Sequence, residues 1–100
     1  MQLEGEQCPD PEYCDGIIRQ IYRYFRWTGA PHLRAEVYFV IRRDGSVEDL
    51  RIVRPSGSLE FDFEAMGAIE QAGRRKAFGP LPPAFGRDRL PILFEFRPPG

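Results

Sequence analysis

From Leu33 to Ile41 the chain alternates. Leu33, Ala35, Val37, Phe39 and Ile41 are interleaved with Arg34, Glu36, Tyr38 and Val40, the period of two that buries one face of a β-strand. Asp44-Gly45 follows; glycine takes positive φ without steric cost and aspartate tolerates it, so this pair predicts a hairpin turn. The return strand runs through Val47, Leu50, Ile52 and Val53 to Arg54. Strict alternation would put Asp49 inside, so a bulge or twist is expected between Val47 and Leu50.

On both sides of the hairpin the period changes. Tyr13, Ile17, Ile21 and Tyr24 or Phe25 recur at spacings of three and four, predicting an amphipathic helix that reaches about Trp27. Asp10 is placed as its N-cap, with Pro11 at the first helical position and Glu12 in the first turn. After a loop at Pro55-Ser56-Gly57-Ser58, the residues Phe61, Ala65, Ala68, Ile69 and Ala72 share one face of a second helix beginning near Leu59. Asp62 or Ser58 can cap it, and Gly73 with Arg74, Arg75 and Lys76 suits its negative end. Phe78 to Arg89 holds Gly79-Pro80, Pro82-Pro83 and Gly86, which fits a stiff connector and neither regular element. Leu90, Ile92, Phe94 and Phe96 then alternate with Pro91, Leu93, Glu95 and Arg97, a third half-buried strand.

The order α-β-β-α-β predicts an α+β fold. A right-handed crossover through the second helix makes strands two and three parallel. With strand one between them, the result is a three-stranded antiparallel sheet of order 2-1-3 with both helices on one face. Pro91 has no N–H to give a ladder, so it belongs on an edge strand. The third strand is therefore expected to be an edge, with the main-chain groups of Leu93, Glu95 and Arg97 sharing the outward direction of Pro91. Residues 1–9 read as a flexible leader and 10–98 as a single domain.

Composition narrows the function. A hydrophobic share of 42% in 100 residues supports one core and no second domain. A net charge of −1, with acids and bases spread along the chain, offers no basic field for nucleic acid or an anionic membrane. No apolar run approaches a membrane span, and the acidic start MQLEGEQ is unlike a signal peptide. The expectation is a cytosolic protein or a soluble domain of a longer one.

Candidate chemistry is sparse. His32, the one histidine, lies in the turn before the first strand and reads as a loop residue. Ser56 and Ser58 read as turn and cap residues, since no histidine partner is implied. Asp10, Glu12 and Asp15 are explained by the helix dipole. Asp44, Gly45 and Asp49 lack the spacing and closing glutamate of a calcium loop. The aromatic and basic run from Arg19 to Trp27 reads as a helix with core and solvent faces and not as a nucleic-acid platform. No catalytic residue, metal ligand or cofactor is assigned, and the protein is expected not to be an enzyme. Cys8 and Cys14 flank the first helix start, where a disulfide could act as a covalent staple in an oxidising compartment; two unrelated thiols are the alternative. Function is left to the edge formed by Leu90, Pro91, Ile92, Leu93, Phe94, Glu95, Phe96 and Arg97. A proline and two charges blunt it only in part, leaving room for an extended peptide to add as a further strand. The alternative is an ordinary protected edge.

The helix ending Tyr-Phe-Arg-Trp, the hairpin AEVYFVIRRDGSVEDLRIVRPSG, the helix LEFDFEAMGAIEQA, the PLPP and the closing LPILFEFRP, in this order and spacing, resemble the C-terminal domain shared by TonB and TolA energy transducers. The most specific parts are Asp44-Gly45-Ser46-Val47, Ser56-Gly57 with Phe61-Asp62, and Pro80-Leu81-Pro82-Pro83. That resemblance implies a periplasmic domain at the end of an inner-membrane-anchored protein, coupled through its N-terminal part to a motor complex. Its last strand, here Leu90 to Arg97, would pair with an outer-membrane transporter or a Tol-Pal type periplasmic protein. A structural or dimerising scaffold that uses the same edge to form a homodimer is the alternative.

Overall fold

The structure, a computed structural model, describes residues 2–4 and 10–98. Its elements in chain order are β1 (Gln2–Glu4), α1 (Pro11–Tyr24), β2 (Ala35–Arg42), β3 (Val47–Arg54), α2 (Leu59–Arg74) and β4 (Arg89–Phe96). All pairings are antiparallel and the sheet order is β1-β4-β2-β3. The expected order of three strands, with two helices on one face, is therefore present as β3-β2-β4. Outside it lies a strand the sequence did not announce.

The helices begin as their caps dictate. The Asp10 carboxylate accepts the main-chain N–H of Glu12 at 3.0 Å and of Tyr13 at 3.4 Å, satisfying donors that the first turn leaves open. At α2 the cap is Ser58, whose Oγ accepts the Phe61 N–H at 3.2 Å. Asp62, the other candidate, is buried, and its Oδ1 accepts the Ser56 N–H at 3.0 Å. It anchors the loop that enters the helix.

α1 stops at Tyr24, three residues short of the expected end. Phe25 turns extended (φ −89°, ψ 117°), which drops its ring into the core, 5.5 Å from Phe61 and 5.0 Å from Phe96. Trp27 stands edge-on to Phe61 at 5.1 Å, and its indole N–H donates to the Ala30 carbonyl at 3.1 Å. Burying these rings outweighs one further turn of helix.

The hairpin has the predicted irregularity. The β2–β3 register shifts between Tyr38 and Val40, opposite Asp49, which takes a positive φ of 55°; a second shift lies between Glu36 and Val37. By contrast β2 and β4 pair without a break from Ala35↔Phe96 to Arg42↔Arg89. The inward residues Val37, Phe39, Ile41, Ile92, Phe94 and Phe96 meet Ile17, Ile21, Phe61 and Ile69 in one core. Each large side chain there contributes about 1.5–3 kcal/mol.

The connector before β4 is fastened to the hairpin turn. The Leu81 N–H donates to the Arg43 carbonyl at 3.1 Å. The Arg43 guanidinium donates to the carbonyls of Phe85 and Arg87 and to the Asp88 carboxylate. The Tyr13 hydroxyl donates to the Gly79 carbonyl at 3.0 Å, tying in α1. These ties fix where β4 starts.

Candidate functional site

Pro91 sets the polarity of the β4 edge. It pairs with Val40 across the β2–β4 ladder and has no N–H, so that pair cannot be one that exchanges both hydrogen bonds. Antiparallel pairs alternate between hydrogen-bonded and open. The groups of Leu93 and Glu95, two and four residues on, therefore also point away from β2. That matches the direction expected from the sequence.

The edge is not bare. β1 lies along it in the register Gln2↔Glu95, Leu3↔Phe94 and Glu4↔Leu93. This corrects two expectations: Leu90 to Arg97 is not the outermost strand, and the leader assigned to residues 1–9 does not extend to Gln2–Glu4. By the same alternation, Gln2 and Glu4 face the outward groups of Glu95 and Leu93. Among the described residues, the pairing covers that stretch of the edge.

Around the edge the side chains divide by face. Leu90, Ile92, Phe94 and Phe96 are buried toward the helices, whereas Pro91, Leu93 and Glu95 lie half-buried on the open face of the sheet. There Tyr38 is the cross-strand neighbour of Leu93 and carries Arg51 over its ring at 4.8 Å. Glu36 is the neighbour of Glu95 and lies 3.9 Å from Arg54. The Glu95 carboxylate takes both Nε and Nη2 of Arg97, at 3.1 and 3.0 Å. The result is a polar row beside an apolar one. At the other end Arg89 donates to Glu48 at 2.6 Å, which also pairs with Arg42 at 3.5 Å. On the helix side, burial raises the pKa of Tyr22, opposed by the charge of Arg97 just past the end of β4.

The remaining candidate residues do not converge. His32 is exposed in the turn before β2, and Ser56 and Ser58 bond each other and the loop backbone. Among the described residues, no group of three or more His, Cys, Asp or Glu side chains could hold a metal ion. Surface clefts of about 230 to 330 Å³ lie against the hairpin and the start of α1, and none includes Leu93 to Arg97. Cys14 is buried on the inner face of α1; Cys8, its expected partner, lies outside the described residues. What sequence reasoning missed is β1, since nothing in MQLEGEQ has a strand period.

An open-faced α+β domain whose sheet accepts a short strand at one edge is the class these features define. The family model described as TonB C terminal matches residues 10–96, and the chain belongs to that family, the C-terminal domains of TonB-type energy transducers. Among solved structures, the solution structure of the Helicobacter pylori TonB C-terminal domain is similar, with a TM-score of 0.64 and 22% identity over 88% of this chain and 80% of that one; at that identity the likeness concerns the fold. No curated protein matches. Among the described residues, no helix is long and apolar enough to cross a membrane.

Proposed function

We propose that this domain is a non-catalytic docking module that captures an extended segment of a partner by strand addition to the outer edge of β4. The observation that carries this reading is the β1–β4 ladder itself, an edge already pairing with a short strand over Leu93 to Glu95. Three further features support it. β4 is held straight by an unbroken register to β2. Its inward side chains are locked in the core, so main-chain donors and acceptors are presented with little freedom left to lose. The open face offers an apolar row at Leu93 and Tyr38 beside a charged row at Glu95 and Glu36, which gives alternate side chains of an incoming strand different surroundings.

Membership of the TonB C-terminal family supports an outer-membrane transporter as the partner, with a Tol-Pal type periplasmic protein as the other choice. It also supports a periplasmic setting and coupling to an inner-membrane motor complex through the N-terminal part of the full protein. The test is a titration of the ¹⁵N-labelled domain with a synthetic peptide from the N-terminal segment of such a transporter. Shifts should centre on the amides of Leu93 to Arg97. Perturbation confined to the helices would remove the strand-addition reading, and dimerisation without peptide binding would replace it with a scaffold role.

A further inference from the structure

The chain's own residues occupy the edge at which a partner is proposed to add. Gln2, Leu3 and Glu4 pair with Glu95, Phe94 and Leu93, the stretch where the outward groups of β4 are uninterrupted by Pro91. We propose that this N-terminal strand is a tethered competitor, so that the domain takes up an extended peptide by exchanging one strand for another. This rests on the docking reading above and adds how that site is regulated and what shape of ligand it takes.

The size of β1 is what makes exchange workable. It has three residues, against eight in each of β2, β3 and β4. Among the described residues, Gln2 and Glu4 are the two that face outward-pointing groups of β4, so the described ladder is a few main-chain bonds long. A strand this short holds because it is tethered, and the tether sets its effective concentration. It can cover the edge against unspecific pairing and still leave when a longer strand arrives. Ligand affinity is then reduced by the fraction of molecules in which the edge is covered.

β1 also serves as a template. It runs antiparallel to β4, so an incoming strand that takes its place exchanges hydrogen bonds with Leu93 and Glu95. Directly opposed residues share a face. The residue opposite Phe94 therefore faces the helix side, and those opposite Leu93 and Glu95 face the open side. β1 itself sets Glu4 opposite Leu93, so a ligand gains over it by setting an apolar residue at that position. Beside Glu95 a residue that hydrogen-bonds or carries positive charge is favoured.

The experiment compares the protein with Glu4→Pro, which removes a main-chain donor facing Leu93, and with Glu4→Ala, which keeps it. The probe is the capped peptide MQLEGEQ added in trans, followed by amide shifts, together with hydrogen exchange at Leu93 and Glu95. Glu4→Pro should speed exchange at these two amides about tenfold and tighten the peptide about threefold or more, while Glu4→Ala leaves both as they are. Either readout left unmoved by Glu4→Pro overturns the competitor. A transporter peptide run in parallel separates the two proposals. If it binds neither protein while the exchange and MQLEGEQ effects appear, docking falls and the covered edge stands. If it binds both proteins equally, the competitor falls and docking stands.

Discussion

Gly45 at the hairpin turn is under two constraints that can be measured apart. Its φ is +91°, where an L side chain is strained by about 1–2 kcal/mol. A Cβ built on it would also stand 2.7 Å from the Gly79 carbonyl oxygen and 3.0 Å from its carbon. That neighbour is backbone, and it cannot move freely: the same oxygen accepts the Tyr13 hydroxyl at 3.0 Å, and two residues on Leu81 donates to Arg43. Relieving the clash puts at risk two hydrogen bonds of about 1 kcal/mol each. Gly45→Ala should therefore cost about 3–4 kcal/mol. Gly57 supplies the control, having a φ of +96° with nothing within 4 Å of its added Cβ; Gly57→Ala should cost the conformational part alone, about 1–2 kcal/mol. With a urea slope of about 1.5 kcal/mol per molar, the midpoints fall by about 2 M and 1 M. Gly45→Asn, which tolerates positive φ but keeps a Cβ, should lie between. Equal midpoints for Gly45→Ala and Gly57→Ala would show that the turn does not press on the connector, and the account of how β4 is positioned would fail with it.

Phe96, fully buried against Phe25 and Phe94, should cost about 3–5 kcal/mol when cut to alanine, seen by circular dichroism as a fall in Tm of about 15 °C or more; a fall under about 5 °C would contradict the packing. Tyr13 has its pKa pushed up to about 12 by burial. An unfolded tyrosine ionises near 10, so between these values the unfolded chain releases the proton first and stability declines as pH rises; below pH 10 no such loss exists. Urea midpoints at pH 9 and pH 11 should therefore fall less in Tyr13→Phe than in the unmodified protein, and Tyr13→Phe should lose about 1 kcal/mol at neutral pH with its bond to Gly79. If Cys8 and Cys14 are bonded, iodoacetamide adds nothing to the unfolded, unreduced protein and two groups after reduction; two groups without reduction would remove the staple.

What could be read in the sequence is what local chemistry decides. Asp44-Gly45 gave the turn, Asp10-Pro11 the helix start, and the broken alternation at Asp49 the bulge, because each depends on a few neighbouring residues. Pro91 even gave the direction of the edge, since a missing N–H constrains the ladder wherever the strand sits. The features that were not legible are settled across long separations. Arg43 looks like any polar strand residue until the connector closes over it. α1 ends early because Phe25 finds Phe61 and Phe96, some forty and seventy residues away. β1 has no period of its own and becomes a strand only because β4 offers a ladder.

The sheet has two flanks, and their difference explains why strands collect at one of them. β3 carries two register shifts and a left-handed residue at Asp49, so its outer groups do not form a continuous row, and Arg51 and Arg54 are exposed along it. Those are the devices by which an edge refuses a partner. After Pro91, β4 has no register shift and no left-handed residue, only the charges of Glu95 and, just beyond its end, Arg97, and its straightness is imposed from the other side by eight unbroken pairs with β2. The next position in the direction of Leu93 and Glu95 is Arg97, one residue past the end of β4 and outside the pairs that Gln2–Glu4 make. A partner strand long enough to pair with Arg97 as well gains main-chain bonds beyond those made by Gln2–Glu4. Affinity in an extended-peptide series should accordingly rise where the peptide first reaches Arg97, and a series that is flat across that length would place the partner elsewhere than on this edge.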